Sequence, residues 1–267
     1  MLASCSGPKE TATSSPEPPV SITKESLYRA GHQRYLALDL DSASILLQRA
    51  HVMDSAYLDP IVDLAQVEYD LAMRTTVESA RNKHLRSSQR YYVKAEQSGK
   101  KDSDTYERLC ELSVALNDDK TFLTYAKKNA QRYPYERQYF NLGLAYFNTG
   151  DFQGVITSQK EAVSKFPAST YVGSFHRQLG RAYEKVNRDQ TAARTFDAGL
   201  KAVDQVVARR QAGSNLFTST AEYKRLMDDK AGMLTSLKKL HTTYRDADKL
   251  QKVEKELAKL KEQGFGR

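Results

Sequence analysis

Two helical segments joined by a tight turn are predicted between residues 139 and 167, and this stretch constrains the fold more than any other part of the chain. Apolar and aromatic residues recur there every three or four positions, as on one face of an α-helix. Gly150-Asp151 separates the segments, and such a dipeptide is typical of one helix ending and the next beginning. Gly143 removes a side chain where the helices would pack closely, and Pro167 stops the second helix. The stretch therefore predicts an antiparallel helical hairpin.

The same pattern returns along the chain, so several such hairpins are predicted to stack in a row. Gly180 follows Gly143 by 37 residues, and Pro167 follows Pro134 by 33 residues. Both intervals are close to the period of roughly 34 residues that some helical-hairpin repeats have. The longer interval predicts about three added residues in the loop at 168–170. Stacked hairpins bury a continuous core that no single hairpin can bury alone.

These positions resemble the tetratricopeptide repeat (TPR) family. The hairpin described above has large aromatic residues, a Leu-Gly pair, a turn, a small residue and a closing proline where that family has them, namely Tyr139, Leu142, Gly143, Tyr146, Gly150, Asp151, Phe152, Ala162 and Pro167. The resemblance implies an all-α fold of the right-handed superhelical solenoid type. It also implies that the first helix of each pair lines a concave surface.

Twelve helices in about six pairs are predicted within residues 22–263, the proposed repeat domain. The pair between residues 58 and 97 keeps helical spacing but lacks the turn of the other pairs. The last helix, from about residue 246 to 263, carries leucines and a valine on one side and lysines and glutamates on the other. This pattern is typical of a capping helix, whose outer face meets water. Residues 264–267 are predicted to be a C-terminal tail.

The first 21 residues differ in composition from the rest of the chain. They are rich in Thr, Ser, Pro and Glu, which cannot bury a core, so residues 1–21 are predicted to be a disordered tether. Leu2-Ala3-Ser4-Cys5 resembles a bacterial lipobox, in which Cys5 would be the site of lipidation. A complete signal also has a charged and an apolar region ahead of the box. Either the true start lies upstream of Met1, or the match is accidental and the segment is a tail of a cytoplasmic protein.

The reactive residues and the charge pattern argue against catalysis and against nucleic-acid binding. The 41 Lys and Arg exceed the 33 Asp and Glu, but acids and bases are interleaved and no nucleic-acid-binding motif is present. The five histidines lack metal-ligand spacing, and we interpret them as surface or groove residues. Asp118-Asp119 and Asp228-Asp229 are interpreted as turns or helix starts, and Cys110 as a small buried hydrophobic residue. No enzyme, metal or other cofactor is predicted.

A protein-binding groove is expected on the concave side, because TPR proteins contact ligands there through fixed positions of each first helix. In one helix the resemblance assigns these positions to Arg137, Phe140, Leu144, Phe147 and Asn148, and in the next to Ser174, Arg177, Arg181, Glu184 and Lys185. In the first unit they are Tyr28, His32 and Tyr35. An apolar patch beside a row of cations suits a protein or peptide with bulky apolar and acidic side chains. The alternative is that the apolar residues are core contacts and the cations are only solvated.

The lipobox, the tether and the repeats together resemble the TPR lipoproteins. Within that group the chain looks most like the pilotins, which help the secretin of type IV pili to assemble in the outer membrane. The segment 112–134 carries this likeness, through Asp118-Asp119, Tyr125-Ala126 and Tyr133-Pro134. The resemblance implies a lipid-anchored scaffold on the periplasmic face of the outer membrane. The alternative is a soluble cytoplasmic TPR adaptor that serves regulation or complex assembly.

Overall fold

A computed structural model describes residues 22–214 and 216–266, so the expected lipobox and tether lie outside the described residues. Twelve α-helices and one short 3₁₀ turn form in the described part, which contains no β-strand. The helices are α1 (Lys24–Leu36), α2 (Leu40–Met53), α3 (Leu58–Arg74), α4 (Glu78–Gln97), α5 (Ser103–Ala115), α6 (Asp119–Arg132), α7 (Glu136–Asn148), α8 (Phe152–Lys165), α9 (Val172–Lys185), α10 (Asp189–Gly213), α11 (Ala221–Thr243) and α12 (Ala247–Glu262). The prediction of twelve helices in six pairs is confirmed.

Each helix packs mainly against its neighbours in the sequence, as expected for stacked hairpins. Every helix contacts the next one, and α1 also contacts α3, α7 contacts α9, and α9 contacts α11. The buried apolar side chains form four clusters that follow the chain, from Leu47 near one end through Phe122 and Phe175 to Leu237 near the other. Neighbouring clusters draw on the same helices, so every helix pair contributes to the buried interior.

A residue in the left-handed conformation ends the first helix of five of the six pairs. These residues are Leu38, Asn117, Gly150, Asn187 and Arg245. In four of these turns the next residue is an aspartate whose carboxylate accepts a hydrogen bond from a backbone N–H of the following helix. The turn between α3 and α4 has no such residue, in agreement with the predicted irregularity of that pair.

Two glycines permit the close helix packing expected of them. A Cβ atom on Gly143 would overlap the side chains of Gln159 in α8 and Gln178 in α9, and one on Gly180 would overlap the ring of Phe196 in α10.

The predicted insertion of about three residues near 168–170 is also confirmed. Six residues (166–171) separate α8 from α9, whereas three residues (133–135) separate α6 from α7.

The C-terminal end of the array is covered by α12 and by the residues that follow it. Val253, Leu257 and Leu260 of α12 are buried against α11. The ring of Phe265 lies 5.9 Å from that of Tyr223, so the described part of the expected tail folds back onto α11. Among the described helices, none is long and apolar enough to cross a bilayer.

Candidate ligand-binding face

The first helices of the pairs are joined by charged side chains that cross from one pair to the next. Arg137 of α7 forms an ion pair with Glu107 of α5, with 2.9 Å between Nη1 and Oε2. Arg177 of α9 pairs with Asp229 of α11, with 3.3 Å between Nη1 and Oδ1. We call the surface formed by α1, α3, α5, α7, α9 and α11 the first-helix face. The residues of the predicted groove lie on these helices.

The apolar residues expected to bind ligand on α7 are half-buried and also take part in packing. Phe140 lies with its ring centroid 5.4 Å from that of Tyr171, and Phe147 is at the same distance from Phe152. Leu144 packs against the cluster that spans α3 to α7. Each of these side chains keeps part of its surface exposed. They are therefore both core contacts and surface residues.

The polar residues of α7 are occupied within the array. The other nitrogen of the Arg137 guanidinium lies 3.4 Å from Glu111, so this arginine is shared between two carboxylates of α5. The amide of Asn148 donates a hydrogen bond of 2.9 Å to Asp119. A ligand that bound either side chain would have to compete with these contacts.

Arg177 lies against α11 over a buried carboxylate. Ser174 donates a hydrogen bond to Asp229, which is only 5% exposed. Burial raises the pKa of Asp229, although Ser174 and Arg177 both favour its ionised form. Gly232 leaves the space that the Arg177 side chain occupies, because a Cβ there would overlap the guanidinium. The interpretation of Asp228-Asp229 as a turn or helix start is wrong, since both lie well inside α11.

Arg181 packs against an aromatic ring and not against a carboxylate of the described residues. Its guanidinium carbon lies 4.4 Å from the ring centroid of Phe147, a cation–π contact between α9 and α7. Within residues 22–214 and 216–266, no carboxylate lies at ion-pair distance from it. Burial and the neighbouring charge of Arg177 lower the pKa of Arg181, and the carboxylate of Glu184 opposes this shift. One turn further along α9, Lys185 is exposed.

A concavity of about 480 Å³ opens between α9 and α11 next to Arg181. Its walls carry the side chains of Arg177, Arg181, Thr235 and Ser236, together with the carboxylate of Asp228. The hydroxyl of Thr235 donates a hydrogen bond to the Ala231 carbonyl within α11. The guanidinium of Arg181 can still donate two hydrogen bonds to one carboxylate, although Asp228 opposes a second negative charge in the concavity. Glu184 is half-buried nearby on α9, and burial raises the pKa of its carboxyl group.

The predicted site residues of α1 contact the neighbouring helix α3. Nδ1 of His32 lies 2.7 Å from Oδ2 of Asp63. Burial, together with the carboxylates of Asp63 and Asp70, raises the pKa values of Tyr28 and Tyr35 to about 12. These three residues are thus grouped on one surface, but they are separated from the α7 and α9 residues by α3 and α5.

Sequence analysis missed a set of acids on the same face. Asp104, Glu107 and Glu111 of α5 each precede a predicted site residue of α7 by 33 residues, one repeat. Applying the family's ligand positions to α5 as well would have found them. Acidic side chains therefore line α5, whereas cations line α9.

Three of the described histidine and cysteine side chains are buried. His176 and His241 are buried, at 8% exposure each, so treating all five histidines as surface or groove residues is wrong for these two. Cys110 is buried as predicted, and burial raises the pKa of its thiol to about 12. No group of three or more His, Cys, Asp or Glu side chains suited to a metal ion occurs among the described residues.

No protein-family model and no curated protein sequence matches the chain. Among solved structures, YrrB, described as a TPR protein with an unusual peptide-binding site, superposes with a TM-score of 0.51 at 15% identity and covers 66% of this chain and 84% of its own. MamA superposes with a TM-score of 0.52 at 14% identity, covering 69% of this chain and 94% of its own. At these identities the likeness concerns the fold alone. The chain has the fold of an all-α TPR solenoid, which confirms the predicted fold class.

Proposed function

We propose that this protein is a non-enzymatic scaffold that binds a protein or peptide on its first-helix face. The fold supports this proposal, because it is shared with YrrB, a structure described as having a peptide-binding site. The observation that carries it is the surroundings of the Arg181 side chain. Its guanidinium packs on the Phe147 ring and forms no ion pair among the described residues, whereas Arg137 and Arg177 each pair with a carboxylate.

The partner that fits this surface has an acidic group next to a bulky apolar side chain. Arg181 and Lys185 supply positive charge, and the half-buried Leu144 and Phe147 supply apolar surface on the adjoining helix. An extended or helical peptide with such side chains would bury the apolar contact and pair its acid with Arg181. The protein would act by binding its partner, and no chemical step would be involved.

Selection of peptides from a random library by the purified protein tests this proposal. We expect the selected peptides to be enriched in Asp or Glu beside aromatic or large aliphatic residues. The variant Arg181→Glu/Lys185→Glu should lose that enrichment, because it reverses the charge of the site. Arg86→Glu/Arg90→Glu is the matched control, since it makes the same charge change on exposed positions of α4. Acidic peptides selected equally by both variants would contradict the proposal.

The site of action proposed here is the bacterial envelope, with a lipid on Cys5 as anchor. Support comes from the sequence Leu2-Ala3-Ser4-Cys5 and from the Pro, Ser and Thr content of residues 6–21. Expression from the native gene with its upstream region, in the presence of a fatty-acid analogue, should label the protein. Cys5→Ser should abolish the label and Ser6→Ala should not. An unlabelled wild-type protein in the soluble fraction would instead favour a cytoplasmic adaptor.

As client we propose an envelope complex such as the secretin of type IV pili, on the basis of the likeness of segment 112–134 to pilotins. Crosslinking in the native envelope, followed by capture of this protein, identifies the client. Secretin or pilus subunits recovered with the wild type but not with Cys5→Ser would support the assignment. Cytosolic proteins recovered equally with both forms would count against it.

A further inference from the structure

The two ends of the array differ in the side chains that they expose. At the C-terminal end, the outer surface of α12 carries lysines and glutamates. At the other end, apolar side chains of α2 are open to solvent, with Ile45 at 61% and Val52 at 83% exposure. Together with Ile22, Leu27 and Met53 they line a concavity of about 560 Å³. We call this surface the N-terminal end patch. Its apolar character is typical of an interface.

The sequence of α2 is symmetric in charge about the centre of this patch. Asp41 lies four residues before Ile45 and Arg49 lies four residues after it, so all three share one stripe of the helix. Both charged side chains are exposed, and in the part of the chain that the structure describes neither takes part in an ion pair. Val52, seven residues after Ile45 on α2, is exposed as well, and so is Leu38 in the turn that precedes α2.

This arrangement is complementary to itself when a second helix of the same sequence runs antiparallel. A two-fold axis through Ile45 would place Asp41 of each copy over Arg49 of the other and would bring the two isoleucines together. Two ion pairs would then flank an apolar centre. A closed two-fold dimer uses one patch twice, so it requires this kind of self-complementarity.

We infer that two copies of this chain pair through α2, antiparallel and centred on Ile45. An unrelated partner would need no such symmetry of charge, whereas a second copy does. Because α2 is a second helix of its pair, the dimer leaves the first-helix face free. The inference is therefore independent of the function proposed above.

Sedimentation velocity of the full chain tests this pairing. The wild type is expected to sediment as a dimer. Asp41→Arg alone and Arg49→Asp alone each replace two attractive pairs by two repulsive ones, so each should weaken the dimer by about tenfold or more. A 1:1 mixture of these two variants should dimerise again, because the charges of the unlike chains are complementary. Ile45→Glu should abolish pairing without rescue.

Charge reversals at the opposite end of the array control for the change in net charge. Asp248→Arg and Lys252→Asp make the same charge changes on exposed positions of α12 and should leave the dimer intact. Far-UV circular dichroism of every variant checks that the helices persist. A wild type that stays monomeric would overturn the inference, and so would a dimer that resists both single reversals or a mixture that stays monomeric.

Discussion

Two arginines one turn apart on α9 have different surroundings, and this difference decides which of them can meet a ligand. Arg177 lies over the buried carboxylate of Asp229, so its charge is used within the fold. Arg181 lies over an aromatic ring and keeps its hydrogen-bond donors for another acceptor. A ligand carboxylate would gain more at Arg181, because there it displaces no existing ion pair.

Asp229 should make the stability of the protein sensitive to pH in a defined direction. Burial raises its pKa above the ordinary value of 3.8, so the native state binds this proton more tightly than the unfolded state does. The stability that this preference contributes is present below the unfolded-state pKa and is lost as pH rises through the raised native pKa. Asp229→Asn stays neutral, so the free energy of unfolding of the wild type relative to this variant should fall as pH rises above about 3.8.

Urea unfolding of both proteins at several pH values measures this difference. Comparing the two proteins at each pH cancels the titration of all other groups that they share. If the relative stability of the wild type instead increased with pH, the pairing with Arg177 would outweigh the cost of burying the carboxylate.

A methyl group at Gly143 should destabilise the array. A Cβ would overlap the amide ends of Gln159 and Gln178, which donate hydrogen bonds to the carbonyls of Tyr139 and Phe140 and cannot move aside without disturbing them. Gly143→Ala is therefore expected to lower the free energy of unfolding by about 1–3 kcal/mol. Gly213 is the control, because it is the last residue of α10 and has open space around its Cβ position. Gly213→Ala should change the free energy of unfolding by less than about 0.5 kcal/mol. Equal effects of the two substitutions would show that α7 is not closely packed at Gly143.

Five of the six turns inside the helix pairs contain a left-handed residue, and one of these five residues is a glycine. Gly150 has φ of 76° and Arg245 has φ of 54°. Gly150→Ala should lower stability by about 1 kcal/mol, since its Cβ would meet no neighbour and only the backbone conformation is penalised. Arg245→Gly should raise stability by up to about 1 kcal/mol, because glycine adopts the left-handed conformation without the steric cost of a Cβ atom. Thermal unfolding of both variants measures this, and shifts in the same direction would contradict it.

The sequence predicted the elements well because their signals are local. Helical periodicity located all twelve helices, and Asn117-Asp118 and Gly150-Asp151 marked turns within a few residues of the signal itself. Even the loop insertion near residues 168–170 followed from the spacing of two glycines. Such features depend on neighbouring residues, so a single sequence contains them.

The candidate site was predicted less completely because its chemistry depends on distant contacts. Arg177 and Asp229 are 52 residues apart, and no pattern in the sequence connects them. In the sequence the cations of α9 therefore look alike, although Arg177 is paired with a carboxylate and Arg181, among the described residues, is not. Family positions assign the predicted groove to α1, α7 and α9, but they do not show which side chains the array itself occupies.

The whole array has buried apolar clusters in every helix pair, a first-helix face that is acidic on α5 and basic on α9, and two unlike ends. Arg181 and Phe147 lie on other helices than the N-terminal end patch, so the proposed client and the proposed second copy would not compete for one surface. A dimer would present two faces to one assembly, which raises apparent affinity when a client offers repeated segments.

The affinity of one selected acidic peptide for the wild type and for two charge-reversed variants decides whether Arg181 and Lys185 bind acidic ligands. Fluorescence anisotropy with a labelled peptide gives each Kd. We expect Arg181→Glu/Lys185→Glu to raise Kd by about tenfold or more and added salt to weaken wild-type binding, whereas Arg86→Glu/Arg90→Glu should leave Kd within about twofold. Equal Kd values for the wild type and Arg181→Glu/Lys185→Glu would show that these two cations do not bind the peptide.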